Sequence, residues 1–230
     1  MTPTNPARAA HRLAEANSVV VLGLGRFGSA IATELVRTGT EVLGVDRDEA
    51  LVQAHNGILT HVVQADSTNA AALRQIAVPE FDRAVVGIGT NIEASLLTSS
   101  LLVEFAVPSI WAKAISDAHA KILRQLGVHN VVAPEKDMGK KVAHLVRGAM
   151  LDYVEFEDNF AMVKMRTPAF AYGKRLGEAH IRRDYGVTVI AIRKDTDEWT
   201  YTTADTLLEK DDRIIVAGPT RKTEKFALIE

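Results

Sequence analysis

The chain has 230 residues, of which 47% are hydrophobic and 24% charged, with a formal net charge of −2 and no cysteine. This is the composition of an ordinary folded protein with enough apolar residues for a sizeable core. It offers no broad basic field for nucleic acid, and it excludes disulfides, thiol nucleophiles and thiolate metal sites.

Residues 1–17 hold small and charged residues without an apolar signal core and read as an N-terminal tail or a short extra helix. No apolar run approaches the roughly 20 residues needed to span a bilayer, so any membrane role runs through a partner. From Ser18 onward, β-rich runs alternate with helical patterns, which predicts a parallel sheet covered by helices. The strands fall at Ser18–Leu22, Glu41–Asp46, Thr60–Ala65, Arg83–Ile88, Ser109–Ala114 and Asn130–Ala133. A first helix runs from about Phe27 to Thr38, with Ile31, Leu35 and Val36 on one face and Gly39 at its end. Asp48, Asn69, Asn91 and Asp117 are candidate caps of the later helices. The helix Asn91–Phe105 is expected to turn Leu96, Leu97, Leu101 and Leu102 to the sheet, and the next helix Ile122, Leu123 and Leu126.

After Pro134 the rhythm changes. Asp137–Leu151 reads as a crossover helix with Val142, Leu145 and Val146 on one side, and no strand follows in the same rhythm. Beyond it lie β-like runs at Asn159–Met165, Val187–Ile192, Glu198–Thr203 and Arg213–Ala217, with a short helix near Lys174–His180. Asp195-Thr196-Asp197 supplies turn chemistry for a hairpin. The organisation is therefore a tail (1–17), an α/β domain with a Rossmann-like doubly wound parallel sheet (18–136), a crossover helix (137–151) and a small α+β domain (152–230).

Gly23, Gly25 and Gly28 sit between the first strand and the first helix, and Asp46 closes the second strand. In that context they form a nucleotide-binding fingerprint: a tight turn, a close approach for a pyrophosphate, a packed helix, and an acid for the ribose hydroxyls. Asp46 disfavours a 2′-phosphate, although Arg47 beside it is either a partner for one or a solvated neighbour. The remaining strand ends offer Asp66 and Ser67, which either reach the adenine edge or cap a loop. Gly87, Gly89 and Asn91 follow strand four, with Lys113 and Glu135 at the ends of strands five and six. Arg26 and Phe27 lie inside the glycine loop. A guanidinium there grips phosphate oxygens and suggests ATP or ADP, the alternative being a solvent-facing arginine. Lys113 adds a second positive charge or pairs with Glu135. Glu135 alone is a weak metal ligand, but with a nucleotide or a second subunit it could complete a Mg²⁺ or Ca²⁺ site.

No catalytic residue declares itself. The seven histidines lack the spacing of a zinc site and read as surface or core filler, and there is no GxSxG elbow or Walker loop. Binding without chemistry is thus the leading reading, ahead of a small NAD-dependent oxidoreductase or a self-standing nucleotide sensor.

Four separated segments, Val21–Gly28, Glu41–Asp46, Gly89–Ser95 and Ala133–Gly139, resemble the RCK family of regulators of potassium conductance. The likeness spans residues 18–220, includes Asp211–Gly218, and is greatest to the cytosolic KtrA/TrkA-type regulatory subunits of bacterial potassium uptake systems. It implies a homo-oligomeric gating ring, commonly an octamer, under a membrane-embedded K⁺ channel or transporter subunit of the KtrB/TrkH type. The location would be cytoplasmic, peripheral to the inner face of the membrane. ATP and ADP, or NAD(H) in some relatives, would shift the ring between shapes. Carried onto this chain, the resemblance assigns Arg26 to the terminal phosphates, Asp46 to the ribose, Asp66 and Ser67 to the adenine side and Lys113 to the phosphates. Glu135 would place a cation between neighbouring subunits. Some relatives bind cyclic di-AMP in the second domain, where His180, Arg182 and Arg183 here hint at an anion site.

Overall fold

The structure, a computed structural model, describes residues 18–146, 150–156, 159–194 and 198–229. It separates into two compact units that divide between Glu135 and Lys136.

The first unit is a six-stranded sheet of β1 (Val19–Leu22), β2 (Val42–Asp46), β3 (His61–Gln64), β4 (Arg83–Val86), β5 (Ser109–Lys113) and β6 (Asn130–Val132). The strand order is β3-β2-β1-β4-β5-β6, with every pair parallel. Strand order reverses between β1 and β4, which is where open α/β sheets leave a crevice for ligands. Both faces of β1 are buried: Val20 and Leu22 enter one core, Val19 and Val21 the other. Helices α1 (Arg26–Arg37) and α2 (Glu49–His55) contribute Ile31, Leu35, Val36 and Leu51 to the second of these cores. Helices α3 (Ala70–Gln75), α4 (Ile92–Glu104) and α5 (Asp117–Gln125) contribute Leu73, Leu102 and Leu123 to the first.

Asp48, Asn69 and Asn91 cap their helices as expected, but Ser116 rather than Asp117 caps α5, its hydroxyl accepting from the His119 N–H. The apolar stripes also differ from expectation. On α4 Leu96, Leu101 and Leu102 pack into the core as expected, but Leu97 is 48% exposed and the small Ser95, Thr98 and Ser99 are buried in its place. On α5 Ile122 faces out and His119 is buried.

Helix α6 spans Pro134–Val146, starting earlier than expected, and residues 147–149 lie outside the described residues. Val142 and Val146 on it are exposed, and Leu145 packs into the core of the second unit. The parallel rhythm ends as expected, but an unforeseen strand, β7 (Met150–Phe156), begins where the helix was expected to continue. It forms a five-stranded antiparallel sheet with β8 (Phe160–Arg166), β10 (Thr188–Arg193), β11 (Thr200–Tyr201) and β13 (Arg213–Pro219), in the order β11-β10-β13-β8-β7. The proposed turn at residues 195–197 falls outside the described residues. The helix expected near Lys174–His180 is instead strand β9 (Lys174–Arg175), paired with β12 (Leu207–Leu208), and a turn. His180, at φ 49°, is left-handed and delays the helix to α7 (Ile181–Tyr185). A final helix not foreseen, α8 (Thr220–Ala227), seats Phe226 in the core.

Burial holds the His119 imidazole below its ordinary value of 6.5, and its Nδ1 accepts from the Ile115 N–H. The neutral ring is therefore the native form, and the unfolded chain takes up the proton first as pH falls. Stability should decline as pH drops below about 6.5, and His119→Gln should flatten that decline in denaturant titrations between pH 7 and 5. An unchanged pH dependence in the variant would contradict the assignment.

Candidate functional site

The glycine loop between β1 and α1 forms the floor of a cleft of about 610 Å³ at the carboxyl ends of the strands. Gly23 has φ +94°, open to glycine at no steric cost. Gly28 is demanded by packing, since a Cβ there would lie 1.9 Å from the Gly23 carbonyl oxygen. Gly25, at the N-cap of α1, has no neighbour within 4 Å of a Cβ position, so the backbone is open there to an approaching group. The first-turn N–H groups of α1 are then available to an anion.

Asp46 ties the loop down. Its Oδ2 accepts from the Leu24 N–H at 2.7 Å and its Oδ1 from the Asp48 N–H at 2.9 Å. Each carboxylate oxygen retains acceptor capacity for a ribose hydroxyl. The Arg47 carbonyl accepts from Gln64 Nε2 at 3.1 Å. Asp66 accepts from the Thr68 hydroxyl and N–H, and these bonds hold its carboxyl below the ordinary range. The Ser67 hydroxyl sits 2.9 Å from that of Thr98 on α4. Asn91 is occupied in capping α4.

The positive groups stand opposite. Lys113, whose side chain is 12% exposed, pairs with Glu135 at 2.5 Å and lies 5.6 Å from the centroid of the Phe27 ring. Lys113 holds the Glu135 carboxyl below its ordinary range, helped by a backbone N–H and the charge of Arg26. Arg26 begins α1 in the cleft wall.

The cleft gathers every nucleotide-site candidate of the first unit except Gly28, which lies beneath the loop; His180, Arg182 and Arg183 belong to the second unit. The cleft also includes Leu51, Ile88, Leu97 and Ile115. Their apolar side chains complete walls on which a planar ring could rest, and nothing in local sequence distinguishes them from core residues. Among the described residues no group of three or more His, Asp or Glu side chains is placed to hold a metal. In the second unit, Arg183 is engaged by Asp184 at 2.7 Å.

One supporting pair escaped the sequence. His55, only 7% exposed, has its Nδ1 2.7 Å from the Leu51 carbonyl and its Nε2 2.6 Å from the Ser29 hydroxyl. The carbonyl can only accept, so Nδ1 carries the proton and Ser29 donates to Nε2. This bond joins α1, which starts at the phosphate end of the cleft, to α2, which carries Leu51 in its wall.

Two expectations follow. Gly28→Ala should displace the loop and abolish nucleotide binding in calorimetry, and unaltered affinity would contradict the close approach. Ser29→Ala should lower stability by about 1 kcal/mol in denaturant titration and weaken nucleotide binding; a neutral effect on both would show the bond to be idle.

The TrkA-N domain family matches residues 19–134 and the TrkA-C domain family residues 169–229. The chain is 35% identical over 207 residues to the Ktr system potassium uptake protein C of Bacillus subtilis, covering 90% of this chain and 94% of that protein. It is 34% identical to protein A of the same organism, over 90% of this chain and 93% of the relative. It is 30% identical to the Ktr system potassium uptake protein A of Vibrio alginolyticus, over 88% and 92%. The GsuK RCK domain shares the fold, with a TM-score of 0.65 at 16% identity over 92% of this chain and 47% of that one. The GsuK channel bound to NAD gives the same TM-score and identity, over 93% of this chain and 39% of that one. The chain thus spans less than half of those two structures, and at this identity they speak to fold alone.

Proposed function

The chain belongs to the RCK family, as a TrkA-N domain followed by a TrkA-C domain, and on that premise we propose that it is a nucleotide-sensing regulatory subunit of a potassium uptake system. The observation that carries the reading is the convergence of the glycine loop, Asp46, Arg26 and Lys113 on one cleft. An anchored acid for a ribose at one end and two cations for phosphates at the other suit a nucleoside di- or triphosphate. The relatives are named for potassium uptake, which weighs against the oxidoreductase alternative.

The mechanism rests on linkage. A nucleotide shifts an equilibrium between two shapes only by its differential affinity for them. ATP brings a phosphoryl group that ADP lacks, and Arg26 is the side chain we assign to it. Phosphate oxygens at Lys113 would compete with Glu135 for the ammonium. Glu135, freed and beside those oxygens, could then join a Mg²⁺ or Ca²⁺ ion, a hard cation that prefers oxygen ligands. NAD(H) remains the second ligand class that Asp46 accommodates.

The working assembly would be a homo-oligomeric ring, an octamer by family resemblance, acting on a membrane-embedded potassium-conducting subunit. No helix among the described residues is long and apolar enough to cross a membrane; by family resemblance, attachment would run through that partner at the cytoplasmic face. The second domain, and α6 as crossover, would carry the change between subunits.

Calorimetric titration tests the ligand assignment. ATP and ADP should bind, and Arg26→Ala should weaken ATP about tenfold or more, as expected for loss of a charge-assisted contact of roughly 1.5–3 kcal/mol, with a smaller effect on ADP. Equal losses for ATP, ADP and AMP would remove Arg26 from the terminal phosphate. Binding of NAD(H) alone would replace the ATP/ADP reading.

A further inference from the structure

We propose that the outer face of the five-stranded sheet in the second unit carries a separate binding site for a phosphate-bearing anion, built by Arg166, Arg193 and Arg213. The strands put these residues in direct register: Arg193 opposite Arg213 across β10 and β13, and Arg213 opposite Arg166 across β13 and β8. The neighbouring row, Ile192, Ile214 and Met165, is buried in the core. Side chains alternate along a strand, so the three arginines leave by the opposite face. Adjacent strands lie about 4.8 Å apart, which roots three guanidinium groups within about 10 Å.

Within this row Arg166 and Arg213 face one another directly across β8 and β13. Like charges directly opposite one another in a sheet are destabilising, and Arg166 and Arg213 form no ion pair or side-chain hydrogen bond among the described residues. Of the acids close by, Asp212 is buried and accepts from the Glu209 N–H, Glu209 pairs with Lys194, and Asp152, opposite Lys164 across β7 and β8, pairs with Lys141. Lys164, two residues before Arg166 on the same face, adds a fourth cation and lies 5.9 Å from the Trp199 ring centroid. Arginine forks match phosphoryl oxygens bidentately and are the side chains suited to gripping such a ligand. An anion carrying several phosphoryl groups, free or on a lipid headgroup, would neutralise the row and meet Trp199 at its margin. This site belongs to a different unit from the nucleotide cleft and does not depend on the function assigned to that cleft.

Trp199 provides the readout, because the chain has only two tryptophans and Trp111, 43% exposed, can be replaced by Phe. The Trp111→Phe chain is titrated with tripolyphosphate, and separately with vesicles of phosphatidylglycerol in phosphatidylcholine or of phosphatidylcholine alone, while Trp199 fluorescence is followed. We expect a saturable change with tripolyphosphate, with the anionic vesicles, or with both, which identifies the source of the phosphate. Added Arg213→Thr or Arg166→Thr should weaken it at least tenfold, and added Arg26→Ala should leave it unchanged. In anion-free buffer Arg213→Thr should unfold at the same or a higher temperature than its parent, so that weaker binding is not misfolding. Absence of any saturable response, a response that persists in both arginine variants, or one lost with Arg26→Ala would overturn the proposal.

Discussion

The Asp46 carboxylate is the contact on which the nucleotide-type cleft depends. By accepting from the Leu24 N–H and the Asp48 N–H together, it joins the glycine loop, the end of β2 and the approach to α2 in one hydrogen-bonded corner. A carboxylate bonded to two backbone N–H groups keeps its position. The loop is thereby set before any ligand arrives, so little binding free energy goes into ordering it. Glycine packing completes the corner, since Gly28 and Gly87 both approach the Gly23 carbonyl more closely than any side chain permits.

Opposite that rigid corner lies a group of charges that can exchange partners. Lys113 is mostly buried and held by Glu135, itself 65% exposed and at the start of α6. An incoming phosphate and Glu135 would seek the same ammonium, so ligand charge would be read where α6 begins. The ribose side would hold and the phosphate side would respond. This asymmetry is what a sensor of phosphate number needs, whereas a dehydrogenase would need a proton-exchanging group beside the cofactor.

Much of the first unit was legible because its signals are local. Six apolar runs, capping side chains at Asp48, Asn69 and Asn91, and the spacing from Gly23 to Asp46 each report on nearby backbone. The candidate cleft residues were legible for the same reason, standing at strand ends that parallel topology brings to one edge. What escaped depended on distant partners. The Ser29–His55 bond joins residues on different helices, and the exposure of Leu97 reflects α4 approaching the sheet through Ser95 and Ser99 instead. In the second unit, β7 was hidden behind helix-like periodicity across residues 137–151, and the helix expected near Lys174–His180 gave way to β9, whose partner β12 is distant in sequence. The arginine row is invisible along the chain, because only antiparallel register sets Arg166, Arg193 and Arg213 side by side.

The central claim is that a nucleotide held by this chain governs potassium movement through a membrane partner. The most direct test is rubidium or potassium flux into liposomes containing that partner, with this chain and either ATP or ADP supplied on its side of the membrane. The account predicts different fluxes with the two nucleotides, and no difference when the chain is omitted. Flux that is the same with ATP, ADP or neither, in a preparation where the chain is bound to its partner, would contradict it.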